Sequence, residues 1–201
     1  MLGLLKDIQK KRRAQGVKPL KIIIASATLD TAKFVHFFKN NSDKNAQQIN
    51  VASFPVSGRV FPVAVEYLPV SHEENISTKI AEIVGEIHSS SKPGDILIFL
   101  PGEHEITATI NLIQSLGFSD LRCLPLFSRL SMVEQMAIFA AHENLRHVVV
   151  STNIAETSLT VPGITTVIDS GLARMTDFDV QTGIGSLTVR KISQASAIQR
   201  T

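Results

Sequence analysis

The stretch VVVSTNIAETSLTVPGITTVIDSG, residues 148–171, sets two short apolar runs around a middle of Ser, Thr, Asn and a single Glu. Near-continuous apolar runs of this length, rich in β-branched residues, read as strands buried on both faces. The polar middle then reads as the loop at a strand exit. Hydroxyls and an amide suit such a loop to hydrogen-bonding phosphate oxygens, which positions a nucleic-acid backbone without reading bases. The same side chains serve equally to satisfy the amides of a turn.

Upstream of this stretch the pattern repeats. Ser71 with Glu74 is an S-x-x-E capping box, which predicts a helix over ENISTKIAEIVGEIH (74–88). GDILIFL (94–100) predicts a strand, GEHEITATINLIQSL (102–116) a helix closed by Gly117, and LRCLPLF (121–127) a strand. SMVEQMAIFAAHE (131–143) predicts a helix opened by a second capping box, Ser131 with Glu134. HVVVST and TTVIDSG complete the series. Apolar strands alternating with amphipathic helices imply an α/β fold, a doubly wound parallel sheet with helices on both faces.

Two segments depart from that rhythm. In Leu172–Ile192, LARMTDFD and SLTVRKI flank VQTGIG, the pattern of a β-hairpin insertion. The tail SQASAIQRT (193–201) begins with a capping serine and predicts a helix. At the other end, LGLLKDIQKKRRAQG (2–16) predicts a helix stopped at Gly16, LKIIIASAT (20–28) a strand, and DTAKFVHFF (30–38) a short helix capped by Asp30. KNNSDKNAQQ (39–48) reads as a loop, and INVASFPV and RVFPVAVEYL as extended pieces whose prolines disfavour central strands. A domain boundary is expected near Arg59–Pro62, giving domains 1–62 and 63–201.

Composition narrows the function classes. At 201 residues and 44% hydrophobic content the chain has the makings of a soluble globular protein with one full core and part of a second. A formal net charge of +2 does not by itself announce a nucleic-acid partner. The densest basic cluster, KDIQKKRR (6–13), reads as a solvated helix face. Cys123 is the only cysteine, so an internal disulfide is impossible and a reducing compartment fits best. No apolar run approaches the ~18 residues of a membrane span, and the N-terminus lacks the order of a secretory signal. An intracellular location, nucleus or cytoplasm, is expected.

Several chemical signatures are missing from these residues. There is no G-x-x-x-x-G-K-[ST] phosphate loop and no G-x-S-x-G elbow. HENLRH (142–147) misses H-E-x-x-H because Arg146 takes the second ligand position, so no metal site is expected. Glu103, His104 and Glu105 read as an exposed first turn whose acids favour a helix N-terminus, not as catalytic groups.

Taken in order, the motifs resemble the DEAH-box family of RNA helicases over nearly the whole chain. SATLD (26–30) resembles motif III, ILIFLPGEHEI (96–106) motif IV, and LPLFSRLSMVEQMAIF (124–139) the segment after it. STNIAETSLTVPGITTVIDSG (151–171) resembles motif V and SQASAIQR (193–200) the opening of motif VI. The resemblance implies two RecA-like domains that hold ATP between them and single-stranded RNA across both. It places residues 1–62 at the end of the first domain and 63–201 in the second, with the phosphate loop, the D-E-A-H carboxylates and the motif VI arginines absent from the chain. It implies ATP with Mg2+ in the complete protein, metal ligands lying elsewhere, and ribonucleoproteins or helicase-activating proteins as further partners.

By the same resemblance, Ser26, Ala27 and Thr28 couple the ATP site to RNA. Gly102, Ser128, Thr152 and Asn153 touch the RNA backbone. Phe139, Ser158, Thr160 and Gln199 face the nucleotide, Gln199 beside the γ-phosphate and attacking water. Phe139 also lies on an apolar helical stripe, where a core role is the plain alternative. Pro101 and Pro162 depart from the family pattern, the first by removing a hydroxyl and an N–H that would meet phosphate. A chain with these contents is expected to be inactive alone. The alternative is a non-enzymatic, truncated paralogue that binds RNA or protein.

Overall fold

Ile96, Ile98 and Leu100 pack into one apolar cluster, while Leu97 and Phe99, one residue out of step, pack into another. That alternation follows from the two-residue period of a strand and puts a core on each face of one sheet. The structure is a computed structural model. It describes residues 1–25, 31–39, 51–54, 62–71, 74–90, 92–140, 145–157, 160–178, 183 and 185–201. The chain divides into two units, Met1–Pro62 and Val63–Thr201.

The first unit contains α1 (Leu2–Ala14) and α2 (Thr31–Lys39). Lys11, Arg12 and Arg13 occupy the last turn of α1, where positive charge meets the negative end of the helix dipole. Lys6 donates to the Phe37 carbonyl and its ammonium lies 4.6 Å from the centre of the Phe37 ring. The strand expected from Leu20 does not form over residues 20–25, which carry no regular structure. The buried Gln9 amide takes the place of a strand partner: its Oε1 accepts from the Leu20 N–H at 2.9 Å and its Nε2 donates to the Leu20 carbonyl. Ile23 is 91% exposed, so among the described residues this apolar run is not packed into a sheet. Asp30 and residues 40–50 lie outside the described residues; 51–54 and 62–70 carry no regular structure, the second in keeping with Pro62 and Pro69.

The second unit opens with α3 (Ile76–Ser89), which starts later than the sequence pattern predicts. Ser71 and Glu74 do bond, the Ser71 N–H donating to Glu74 Oε2 at 2.9 Å, but they close a turn before the helix. Asn75 is the N-cap instead, its side chain accepting from the Ser77 N–H. Then come β1 (Asp95–Phe99), α4 (Glu103–Ser115), β2 (Leu121–Leu126) and α5 (Met132–Met136). The capping box expected at Ser131 and Glu134 is present. The helix it opens is shorter than predicted, passing into a 3₁₀ turn at Ala137–Phe139 and ending at Ala140, whose backbone is extended.

β3 (Arg146–Ser151), α6 (Ile154–Thr157), β4 (Ile164–Asp169), β5 (Leu172–Phe178), β6 (Gly185–Lys191) and α7 (Gln194–Arg200) complete the unit. The four-stranded sheet runs β2-β3-β1-β4 with every pair parallel. Pro125 falls on the edge strand β2, opposite Val150, where one missing N–H is tolerated. α3 and α4 supply Ile80, Val84, Ile106 and Ile113 to one face, against Ile96, Ile98, Val148 and Val150. Ile138 and Ala155 close the other face against Leu97, Phe99 and Val149. Side chains buried this fully contribute about 1.5–3 kcal/mol each. β5 and β6 form the predicted antiparallel hairpin as a separate sheet, in register from Leu172 opposite Lys191 to Phe178 opposite Gly185.

Candidate functional site

Because all four strands of the larger sheet are parallel, their carboxyl ends share one edge, the place where such sheets gather ligands. Hydrogen bonds stitch the exits together. The Leu100 N–H donates to the Ser151 carbonyl at 2.8 Å, the Thr152 N–H to Leu126 at 3.1 Å, and the Ser170 N–H to Phe99 at 3.2 Å. The turns after β1, β2, β3 and β4 are therefore neighbours, and they carry Gly102, Ser128, Thr152 with Asn153, and Ser170.

Within this edge the predicted residues differ in access. Ser128 and Asn153 are exposed, Thr152 is half-buried and Gly102 is buried. Gly102 is the N-cap of α4, and a Cβ there would lie 2.9 Å from both the Arg174 guanidinium carbon and Glu105 Oε2. Arg174, on the hairpin strand β5, reaches to 3.8 Å from Glu105 Oε1. The hairpin is thus held against the turn that follows β1. Glu103 and His104 are exposed, and the Glu103 carboxylate lies 3.5 Å from the solvated Arg129.

Thr160 is exposed, while Phe139 is half-buried against the cluster of Leu97, Phe99 and Val149. Ser26, Ala27, Thr28 and Ser158 lie outside the described residues. Gln199 sits in the last turn of α7 and donates its Nε2 to the Glu156 carbonyl at 3.0 Å. That bond ties α7 to α6, the short helix growing directly from the Thr152–Asn153 loop, whose Asn153 carbonyl accepts from the Glu156 N–H at 3.1 Å.

Three residues that the sequence reading did not single out complete this corner. Arg200 is buried, with its Nε and Nη2 each 3.0 Å from Glu156 Oε2 and its Nη1 2.8 Å from Asp169 Oδ1. Its guanidinium also lies 4.5 Å from the centre of the Phe99 ring. Asp169 Oδ1 accepts from the Gly171 N–H at 2.9 Å as well, fixing the turn after β4. The signal was present in the opening stretch: Glu156 is the one carboxylate in an otherwise neutral loop, and a charge in such a place calls for a partner.

The model for the helicase conserved C-terminal domain matches residues 78–200, more than half of the chain. The chain belongs to that family. Its relatives place it in the DEAH-box branch. The ATP-dependent RNA helicase HrpA of Escherichia coli strain K12 is 40% identical over 205 residues, spanning 100% of this chain and 14% of that protein. The human protein named probable ATP-dependent RNA helicase DHX35 is 38% identical over 208 residues, 99% of this chain and 29% of its own length. The crystal structure of the E. coli DEAH/RHA helicase HrpB superimposes with a TM-score of 0.75 at 34% identity, covering 99% of this chain and 24% of that one. This helicase C-terminal chain therefore spans less than a third of each of these relatives. No helix among its described residues is long and apolar enough to cross a membrane.

Proposed function

We propose that this chain is part of an ATP-dependent RNA helicase that couples ATP hydrolysis to RNA translocation, unwinding or ribonucleoprotein remodelling. In this reading residues 1–62 are the end of a first RecA-like domain and 63–201 most of a second. The observation that carries it is the shared sheet edge: Gly102, Ser128, Thr152 and Asn153 stand on adjacent strand exits, and Gln199 is hydrogen-bonded to the helix growing from the third of them. Backbone and hydroxyl donors along such an edge suit a sugar-phosphate chain.

ATP fits part of the same corner. By the family resemblance Phe139, Ser158, Thr160 and Gln199 face the nucleotide, and their aromatic, hydroxyl and amide groups are of the kind that hold base and phosphate; of these, Gln199 is hydrogen-bonded in this corner and Phe139 is half-buried, while Ser158 lies outside the described residues. Mg2+ finds no ligand set among the described residues. Glu156 and Asp169 are both paired with Arg200. Among the described residues no group of three or more His, Cys, Asp or Glu comes together to hold a metal. Bound ATP supplies the phosphoryl group whose transfer to water drives movement, and in related hydrolases an arginine in trans accelerates that step by about 10³–10⁵. Since these 201 residues contain neither a phosphate loop nor a D-E-A-H sequence, the polypeptide alone does not hydrolyse ATP.

The deciding experiment compares RNA-stimulated ATPase activity of the complete protein with that of this chain, alongside fluorescence anisotropy on single-stranded RNA. Activity in the complete protein only is the expected result. Asn153→Ala in the complete protein should weaken RNA binding by roughly 2- to 13-fold, the worth of one ordinary hydrogen bond. A complete protein whose ATPase ignores RNA would refute the reading.

A further inference from the structure

We infer that Arg200 is a positioning residue that locks Gln199 to the RNA-facing loop through Glu156, so that contact at Thr152–Asn153 and the nucleotide-facing amide move together. The inference rests on the helicase reading above and adds to it the residue that makes the connection.

α7 has only seven residues, too few to hold a fixed position by helical hydrogen bonds alone. Its place is set by tertiary contacts, and two consecutive side chains reach the same residue. Gln199 bonds the Glu156 main chain while Arg200 bonds the Glu156 carboxylate through two nitrogens. The third guanidinium nitrogen extends to Asp169 at the exit of β4, and the guanidinium carbon lies over the Phe99 ring at the end of β1, 4.5 Å from its centre. One planar cation thus references α7 to α6, β4 and β1 at once. Its side chain is 2% exposed, where charge-assisted bonds are strong and geometrically strict.

The other end of the path is equally short. The Ala155 N–H donates to the Thr152 carbonyl and the Glu156 N–H to the Asn153 carbonyl, so Glu156 lies one turn from the loop residues offered to RNA. A shift of that loop carries Glu156 with it. Glu156 then draws both its carboxylate and its carbonyl, and with them Arg200 and Gln199. A lysine would keep the charge at position 200 but bond as a point, without the fork that engages Glu156 and Asp169 together. Arg200→Lys therefore separates the geometry from the charge.

The test uses the complete helicase, reading thermal stability, RNA affinity, and kcat with and without RNA. Arg200→Lys is expected to bind RNA within roughly twofold of wild type while the stimulation ratio, kcat with RNA over kcat without, falls by roughly 2- to 30-fold. Glu156→Gln keeps the main-chain acceptor for Gln199 and a neutral acceptor for Arg200, and should lower the same ratio less. A purely structural anchor would lower stability and RNA affinity while leaving the stimulation ratio of the folded enzyme unchanged, and that result would overturn the inference. Should Arg200→Lys not fold, the ratio in Glu156→Gln decides alone. A wild-type enzyme with no RNA stimulation would instead remove the helicase reading on which the inference stands.

Discussion

Arg200 holds the Glu156 carboxylate with two nitrogens, each at 3.0 Å, from a side chain that is only 2% exposed. The pair joins α7 to α6, the short helix that follows β3, and the Asp169 contact at 2.8 Å makes it a triad. A buried cation flanked by two carboxylates has a large stake in remaining intact, since removing one partner leaves charge in a poorly solvated place.

Arg200→Ala should therefore destabilise the second unit. Breaking a fully buried pair costs about 3–5 kcal/mol. Glu156 and Asp169 keep 12% and 24% side-chain exposure, so water recovers part of that loss. The expected cost is about 2–3 kcal/mol, read as a lower urea midpoint at unchanged slope. A midpoint equal to wild type would show that the triad contributes nothing net.

Two glycines should respond to very different degrees to an added methyl group. Gly94 has φ +88°, and a Cβ there would lie 2.2 Å from Thr165 Cγ2, whose hydroxyl is already committed to the Pro93 carbonyl. Gly94→Ala is strained by both backbone and space, and should cost well over ~1 kcal/mol. Gly102, with φ −162°, is in extended backbone that any residue adopts. Its crowding comes from the ends of Arg174 and Glu105, which can turn aside. Gly102→Ala should cost under ~1 kcal/mol but loosen the hairpin, seen as faster amide exchange at the start of β5. Equal denaturation midpoints for the two variants would contradict this.

Cys123 should be a poor nucleophile. Burial pushes its thiol from an ordinary 9.0 up to about 11. At pH 8 about one thiol in a thousand is then ionised, and a thiol reagent should react roughly a hundredfold more slowly with the native protein than in denaturant. The sign for stability follows: the unfolded thiol ionises first, so this group's contribution is full below about pH 9 and declines toward pH 11. Equal reaction rates in the native and unfolded states would rule it out.

The parallel sheet was legible because the apolar runs Ile96–Leu100 and Val148–Val150 alternate with amphipathic helix patterns, and the hairpin because Gly183 and Gly185 stand between two strand-like runs. The strand expected at Leu20 was not, since a short apolar run reports burial but not whether a sheet edge is there to receive it; here Gln9 satisfies the backbone instead. The start of α3 was misjudged by local rules alone. Ser71–Glu74 and Asn75 both carry cap chemistry, and the two patterns overlap. At the site, the polar strand exits could be read from single segments. Of the Arg200 triad only the lone carboxylate Glu156 was visible as a group needing a partner; which partner was not, because Arg200 lies 44 residues from Glu156 and 31 from Asp169 and they meet only once the sheet has formed.

The capping box at the start of α5 offers a pH handle. Glu134 Oε2 accepts from the Ser131 hydroxyl at 2.6 Å and from the Ser131 N–H at 2.8 Å, and these bonds, the hydroxyl first, hold its carboxyl below the usual range. With the folded value depressed, the contribution of this group is present above the ordinary carboxylate pKa and is lost as the pH falls through the lowered one. Ser131→Ala removes the larger of the two donors and also the acceptor for the Glu134 N–H. The Glu134 titration should then move back toward the ordinary value without reaching it, because the residue 131 N–H remains as a donor. Amide protection in Met132–Met136 should fall at neutral pH in the variant, matching what acid does to the wild type. An NMR titration of the Glu134 side chain follows the first effect and hydrogen exchange the second. An unshifted Glu134 in Ser131→Ala would mean that the hydroxyl does not hold the carboxylate in solution.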